Sequence, residues 1–243
     1  MKTELEQNIL NIKKRIQSAC LLSGRDPSEV KLLLATKTVS TQRISEALLA
    51  GETLIAENKI QELKEKFHPL SAIPHTNHFI GHLQTNKVKD LLKYNVSCLQ
   101  SLDNMDLAHK LNNRLSLEDK KMDVLIQVNT SAEQSKFGLL PQELASFVKE
   151  VSTLENLQVK GLMTIGLFTQ DPLKIRPCFS LLKELQQQIA AENIPGVQMH
   201  ELSMGMSGDL EIAIQEGATI IRVGTAIFGK RATPDSYYWN EKP

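Results

Sequence analysis

The sequence predicts an α/β protein, a (β/α)8 TIM barrel with one additional helix at its N-terminus. Eight short apolar segments alternate with eight segments of helical periodicity, and strict alternation of this kind is typical of parallel sheets. No linker or shift in composition divides the 243 residues, which favours one closed sheet over two domains. A doubly wound open sheet would favour a glycine-rich turn after the first strand, whereas residues 36–42 contain no glycine.

The elements follow from periodicity and from capping signals. Apolar residues at helical spacing predict a helix over 3–22, which Gly24 and Pro27 end. The first predicted strand is short and dominated by Val and Leu, as expected of a strand buried on both faces. The strands are expected at 30–36, 53–57, 78–81, 96–100, 123–129, 158–166, 197–203 and 219–224. Asp103 is the expected cap of the helix that follows the fourth strand. Residues 1–243 form one predicted domain, with a polar tail from about residue 232.

Composition and charge exclude several classes of function. Lys plus Arg and Asp plus Glu both number 28, so the formal net charge is zero and no nucleic-acid surface is expected. The three dispersed cysteines favour free thiols in a reducing cytoplasm. No apolar run reaches the length of a membrane span, and the polar N-terminus is unlike a signal peptide. We therefore expect a cytoplasmic protein that does not contact a membrane, and the lack of an apolar stripe favours a monomer.

Lys37 follows the first predicted strand and would lie at the C-terminal rim of the barrel, where active sites of this fold are built. Apolar walls favour the neutral form of a lysine amine, which is the nucleophile that forms a Schiff base with an aldehyde. The alternative is a lysine at a strand end whose amine simply extends to water. A second group near Lys37 is needed to decide between them.

Two turns of small residues are predicted at neighbouring strand ends. Ser207 and Gly208 follow the seventh strand, and Gly224 and Thr225 follow the eighth. Each turn alone could be ordinary helix capping, but barrels often bind phosphate with the loops after these two strands. Because the first strand of a closed barrel lies beside the eighth, Lys37 would face a ligand that carries a phosphate.

An amine beside a phosphate site fits two classes of ligand. One is a sugar phosphate, as in lysine-dependent aldolases, and the other is pyridoxal 5′-phosphate (PLP). Arg222 interrupts the apolar eighth strand. It either faces the helices and pairs with a carboxylate, or faces inward beside the pyridine nitrogen, which it would keep unprotonated. An aldolase would need an acid near its lysine, and Glu57 is the nearest candidate.

Seven segments occur in an order that resembles a known family. They are LLLATKT around Lys37, AEN at 56–58, HFIGHLQTNK at 78–87, VLIQVNTSAEQSKFG at 124–138, GLMTIG at 161–166, ELSMGMSGDLEIAI at 201–214 and IRVGTAIFG at 221–229. The chain resembles the pyridoxal phosphate homeostasis protein family over about residues 1–232. This resemblance implies a barrel like the N-terminal domain of bacterial alanine racemase, in which Lys37 forms the internal aldimine with PLP.

The resemblance also implies roles for the other site residues. The implied phosphate ligands are Ser207, Gly208, Gly224 and Thr225. Arg222 is expected to face the pyridine nitrogen, and Asn58 to line the edge of the cofactor. The chain departs from the family at Ala56, where glycine is usual and a methyl group would narrow the approach to the ring. It also departs after GLM, where a loop containing proline is usual.

The family implies handling of the cofactor rather than turnover, with intracellular buffering of PLP and its delivery to PLP-dependent apo-enzymes. Alanine racemase needs a second base from a separate domain and a partner subunit, whereas the tyrosines of this chain are Tyr94, Tyr237 and Tyr238. No catalytic residue is therefore assigned. The alternative is a weak PLP-dependent amino-acid racemase or a related fold type III enzyme. Three histidines near the third strand lack a partner carboxylate or cysteine set, so no metal site is expected.

Overall fold

The structure, a computed structural model, describes residues 2–167, 169 and 171–229. Eight parallel strands close into a barrel in sequence order, β1 to β8. They are β1 Lys31–Ala35, β2 Leu54–Glu57, β3 Thr76–Phe79, β4 Val96–Leu102, β5 Met122–Gln127, β6 Leu157–Met163, β7 Val197–Ser203 and β8 Ile220–Val223. The predicted fold class is thereby confirmed.

One helix precedes the barrel and the others follow its strands. They are α1 Glu4–Leu22, α2 Thr41–Leu49, α3 Ile60–Leu70, α4 Val88–Leu92, α5 Met105–Leu117, α6 Leu144–Val151, α7 Pro172–Ala191, α8 Leu210–Gln215 and α9 Thr225–Phe228. The additional helix α1 begins at a capping box formed by Thr3 and Glu6. In the part of the chain that the structure describes, no helix has both the length and the apolar character of a membrane span.

Some boundaries differ from those predicted. The expected cap of α5, Asp103, is wrong: the side chain of Asn104 accepts the N–H of Leu107 at 2.9 Å instead. Either residue type can cap a helix, and only the side chain one position later reaches the third helical N–H. Asp103 accepts the N–H of Gly138. Strand β3 begins at Thr76, two residues earlier than expected. The N–H of Thr76 already donates to the carbonyl oxygen of Thr53, which immediately precedes β2. The predicted tail lies outside the described residues.

Side chains on each strand alternate between the interior of the barrel and the layer of helices. The interior is filled by a small apolar cluster of Leu33, Ala56, Cys98, Leu125, Met163 and Ile220. Leu34 and Ile221, one position further along β1 and β8, belong to the larger cluster beneath the helices. Arg222 lies two residues after Ile220 and therefore shares its inward direction.

Gly161 of β6 lies directly against the backbone of its partner Glu201 in β7. A Cβ atom on this residue would lie 1.9 Å from the carbonyl oxygen of Glu201. The obstacle is backbone, so no rotation of a side chain can relieve it. Glycine is therefore required for this pairing.

We expect Gly161→Ala to lower the free energy of unfolding by about 3 kcal/mol, because overpacking against a fixed backbone separates two central strands. Urea denaturation of the full chain measures this. Gly196→Ala is the matched control: its φ is 79°, but nothing lies within 4 Å of an added Cβ. That control should lose about 1 kcal/mol through backbone strain alone. Equal losses in the two variants would contradict the role of close contact at Gly161.

Candidate functional site

Lys37 lies in a turn that leaves β1 at the C-terminal mouth of the barrel. The turn is closed by the N–H of Val39, which donates to the carbonyl oxygen of Thr36 at 2.9 Å. On one side β1 pairs with β2, and on the other it pairs with β8, where Leu33 is aligned with Arg222. Lys37 therefore emerges between the strand that leads to Asn58 and the strand that carries Arg222.

Arg222 faces the barrel interior and is 5% exposed. One terminal nitrogen donates to Ser203 Oγ at 2.8 Å, and the other donates to the carbonyl oxygen of Thr164 at 2.7 Å. Burial lowers the pKa of the guanidinium to about 10, against the opposing charge of Asp209. The group thus stays protonated at neutral pH. Its direct partners are neutral, so it does not form the carboxylate pair that an outward-facing arginine would have formed.

The loops after β7 and β8 meet at the mouth. The hydroxyl oxygens of Ser207 and Thr225 are 3.3 Å apart, and the N–H of Ala226 donates to Ser207 Oγ at 3.4 Å. Arg15 of α1 supports this contact by donating to the carbonyl oxygen of Ser207 at 3.1 Å. The structure therefore brings together the two turns that the sequence predicted to be neighbours.

Two glycines border this mouth in different ways. A Cβ atom on Gly208 would meet nothing within 4 Å, so the space above this exposed residue is open. A Cβ atom on Gly81, after β3, would lie 2.0 Å from the carbonyl oxygen of Asn58. Asn58 is thus held in place by a close backbone contact.

Asn58 carries an unsatisfied acceptor. Its Oδ1 atom is buried and has no hydrogen-bond partner among the described residues. Buried side-chain oxygens are nearly always hydrogen-bonded, so each exception needs an explanation. A donor supplied by a bound ligand at the mouth would provide one.

The sequence reasoning missed a chain of polar side chains inside the barrel. Ser203 Oγ donates to Gln100 Oε1 at 2.6 Å, and Gln100 Nε2 lies 2.7 Å from His78 Nδ1, to which it donates. Burial lowers the pKa of His78 to about 4, so its imidazole is neutral. Arg222 is the other end of this chain. The signal that could have found it is the one that identified Arg222, a polar residue at an inward position of an apolar strand.

The opposite side of the mouth is formed by the loop after β5. The rings of His82 and Phe137 are stacked, with centroids 3.9 Å apart and planes 11° apart. Lys136 contacts both Glu133 and the carbonyl oxygen of Gly166. Within residues 2–167, 169 and 171–229, no group of three or more His, Cys, Asp or Glu is arranged to hold a metal ion.

The neutral state of His78 predicts a pH dependence of stability. Its pKa is about 4 in the folded protein and 6.5 for an ordinary histidine, so between these values only the unfolded chain gains a proton. The free energy of unfolding should fall by up to about 3 kcal/mol as the pH drops from about 6.5 to about 4. His78→Asn keeps an acceptor for Gln100 and should lack this part of the decline. The free energy of unfolding is measured by urea denaturation at several pH values. An equal decline with falling pH in the two proteins would contradict the assignment.

Comparisons with known proteins identify the family of the chain. A family model described as the N-terminal domain of alanine racemase matches residues 4–232. The pyridoxal phosphate homeostasis protein of Aquifex aeolicus is 40% identical over 225 residues, which is 93% of this chain and 97% of that protein. The homeostasis protein of Vibrio cholerae is 41% identical over 233 residues, which is 93% and 96% of the two chains.

Solved structures resemble the chain as well. The structure of PipY from Synechococcus elongatus with PLP bound has a TM-score of 0.76 and 33% identity, and the match covers 90% of this chain and 100% of that one. An alanine racemase of Clostridium difficile has a TM-score of 0.74 at 13% identity and is matched over 58% of its length, which shows the fold alone. From the family model, the relatives and the shared barrel, the chain belongs to the pyridoxal phosphate homeostasis protein family.

Proposed function

We propose that this protein binds PLP covalently through Lys37, and that it buffers and delivers the cofactor within the cell without strong catalysis of its own. The observation that carries this proposal is the contact between the Ser207 and Thr225 hydroxyls at 3.3 Å. This contact lies at the ends of β7 and β8, beside the strand that leads to Lys37. The names of the relatives and the PLP-bound PipY structure support it.

The residues at the mouth fit PLP. The hydroxyls of Ser207 and Thr225, with the backbone around Gly208 and Gly224, would hold the phosphate. Arg222 would donate to the pyridine nitrogen, and the unsatisfied Oδ1 of Asn58 would accept a hydrogen bond at the edge of the ring. The open space over Gly208 leaves room for a phosphate oxygen against the backbone. Bound PLP supplies an aldehyde, which condenses with a lysine amine and releases water.

The surrounding groups support retention rather than turnover. Arg222 stays protonated, and as a donor-only group it would leave the pyridine nitrogen without a proton and the ring a weaker electron acceptor. His78 is a weak base, since burial lowers its pKa to about 4. Burial also raises the pKa of the Cys98 thiol, which therefore stays protonated. None of these groups suits abstraction of a substrate proton at neutral pH.

A second base from a tyrosine is also poorly supported. Tyr94, the one tyrosine within the described residues, packs edge-on against Phe67 with ring centroids 5.5 Å apart. It precedes β4 and so lies at the end of the barrel opposite Lys37. Tyr237 and Tyr238 lie outside the described residues. Within the described residues, the racemase alternative therefore gains no second base from a tyrosine.

The aldolase alternative loses its candidate acid. Glu57 is buried on the outer face of β2, where its carboxylate accepts a hydrogen bond from Lys66 Nζ at 2.7 Å. A carboxylate held behind the barrel wall does not reach a ligand at the mouth. A sugar phosphate bound at Lys37 would thus lack the acid that an aldolase needs.

Delivery requires that the link to Lys37 be reversible. Another amine, such as the lysine of a PLP-dependent apo-enzyme, would displace Lys37 and take the cofactor away. The mouth is open above Gly208, which would allow such an approach. We further propose that the protein acts in the cytoplasm as a monomer.

We expect the purified protein to be yellow, and borohydride reduction followed by peptide mass mapping should find the PLP adduct on Lys37. Lys37→Ala should abolish both the colour and the adduct, because no amine remains at the turn to form the link. Lys64→Ala, which changes an exposed lysine of α3, is the matched control and should retain both.

A reduced adduct on a different lysine would refute the assignment of Lys37. Incubation of the same samples with several amino acids distinguishes carrier from enzyme. The carrier should give no product beyond stoichiometric exchange. Sustained turnover that Lys37→Ala abolishes would instead favour the weak racemase or a related fold type III enzyme.

Gly208→Ala tests the phosphate site separately. Because a methyl group there meets no protein atom, stability should change by less than about 0.5 kcal/mol. If the phosphate lies against this backbone, the dissociation constant for PLP should rise about tenfold, a loss of about 1.4 kcal/mol. Thermal melting of the apo-protein and absorbance titration with PLP measure the two effects. Unchanged affinity would remove Gly208 from the proposed phosphate ligands.

A further inference from the structure

Three charged side chains form a cluster behind the barrel wall, between β2 and α3. Lys66 is 8% exposed, and its Nζ lies 2.8 Å from the carbonyl oxygen of Thr36, 2.7 Å from Glu57 Oε1 and 2.6 Å from Glu62 Oε2. An ammonium group has three N–H donors, so all are used. We call Lys66, Glu57 and Glu62 the charged cluster.

Stability of the fold alone does not explain the charged cluster. Removing charged groups from water is costly, and well-packed apolar residues in place of a buried ion pair are often as stable or more stable. The same space is also lined by the apolar side chains of Ile55, Leu63, Phe67 and Leu70, together with His75, Asn77 and Tyr94. A role in fixing a particular backbone geometry would account for retaining the charges.

The charged cluster binds the backbone on both sides of Lys37. Before it, the carbonyl oxygen of Thr36 accepts from Lys66, and Thr36 Oγ1 donates to Glu57 Oε1 at 2.6 Å. After it, the N–H of Thr38 donates to Glu62 Oε2 at 2.6 Å. Lys37 therefore lies between two backbone groups that are anchored to the same ions.

The anchored turn has an unfavourable conformation. Thr38 has a φ of 64°, in the left-handed region. It is the third residue of the turn closed by the Val39 N–H, a position where positive φ normally selects glycine or asparagine. For a β-branched residue this conformation is a genuine outlier, which persists only where surrounding contacts enforce it. Two contacts hold Thr38 here: its N–H donates to Glu62, and its hydroxyl donates to the carbonyl oxygen of Lys37 at 2.6 Å.

We propose that the charged cluster holds the turn 36–39 in the strained conformation that directs the Lys37 amine toward bound PLP. Lys66, Glu57 and Glu62 are thus positioning residues that act on the cofactor through the backbone beside Lys37. This inference rests on the proposed function, in which Lys37 is the covalent anchor. It assigns a purpose to the strained turn at Thr38.

The charges of the cluster indicate which variant tests it cleanly. Two carboxylates share one ammonium, and Glu57 Oε2 has no hydrogen-bond partner among the described residues. Burial raises the pKa of Glu57 to about 7, with Lys66 opposing and Glu62 adding to the shift. Glutamine at position 57 therefore resembles a state that the native residue already populates. Lys66→Met with Glu57→Gln removes the ammonium that binds Thr36 without leaving the fully buried carboxylate of Glu57 unpaired. The carboxylate of Glu62, whose side chain is 15% exposed, keeps the hydrogen bond from the N–H of Thr38.

In this double variant we expect a folded apo-protein whose dissociation constant for PLP is raised about tenfold or more. Release of PLP to an excess of a small primary amine should be faster as well. Absorbance titration, stopped-flow spectroscopy and thermal melting of the full chain measure these quantities. If the double variant does not fold, Glu62→Gln, which removes one negative charge beside Lys66 and weakens the anchor of Thr38, should raise the constant about threefold.

Two further variants separate positioning from general stability. Lys93→Met breaks an exposed ion pair with Asp90, whose atoms are 2.9 Å apart, and should leave affinity for PLP unchanged. Thr38→Asn introduces a residue that tolerates positive φ. Added to the double variant, it should restore part of the lost affinity for PLP, because a positive φ at position 38 then costs less free energy. A merely structural cluster would show no such rescue.

The proposal is overturned if folded variants of the cluster bind PLP within about twofold of the native protein. Borohydride mapping of the native protein separates failure of the positioning role from failure of the proposed anchor at Lys37. An adduct on Lys37 together with unchanged affinity in the variants overturns the positioning role alone. An adduct on another lysine overturns both this role and the proposed anchor.

Discussion

The pairing of β1 with β8 is the constraint on which the candidate site depends. Residues 31–34 are aligned with residues 220–223 in a parallel ladder that closes the barrel. Adjacent strands are about 4.8 Å apart, so in an open sheet of the same strand order Lys37 and Arg222 would be separated by roughly 34 Å. Closure reduces that distance to about one strand spacing. The amine, the guanidinium and the loops after β7 and β8 therefore meet only because the sheet has no edges.

Buried charge is treated differently on the two sides of the barrel wall. Inside, the cation of Arg222 is bound directly only by neutral groups, a hydroxyl and a carbonyl, and the carboxylate of Asp209 acts on it as a nearby charge. Outside, Lys66 is bound directly by two carboxylates. A cation with neutral partners retains its attraction for an anionic or electron-rich ligand, whereas a cation neutralised by carboxylates serves to fix the chain. The arrangement at Arg222 thus suits the binding of a ligand, and the arrangement at Lys66 suits support of the backbone.

The fold and part of the candidate site could be predicted from the sequence. The alternation of apolar segments was sufficient to predict the closed barrel, and the interruption of an apolar strand was sufficient to identify Arg222. Gln100 and Ser203 were missed because they lie 103 residues apart and meet only through the register across the barrel, which no local pattern encodes. The strain at Thr38 was equally hidden, since it depends on a carboxylate 24 residues later. The roles of Lys37, Asn58, Ser207, Gly208, Arg222, Gly224 and Thr225 toward a cofactor stay predictions.

The hydrogen-bond chain inside the barrel has a direction that cannot be reversed. A guanidinium can only donate, so Arg222 obliges Ser203 to donate onward, Gln100 to accept with its oxygen, and His78 to accept with Nδ1. The amide orientation and the imidazole tautomer are thus both determined by one charge at the mouth. A proton entering at His78 could not be relayed to the mouth, because the last member of the chain has no lone pair to receive it. The imidazole of His78 is therefore not coupled by this chain to proton transfer at the mouth.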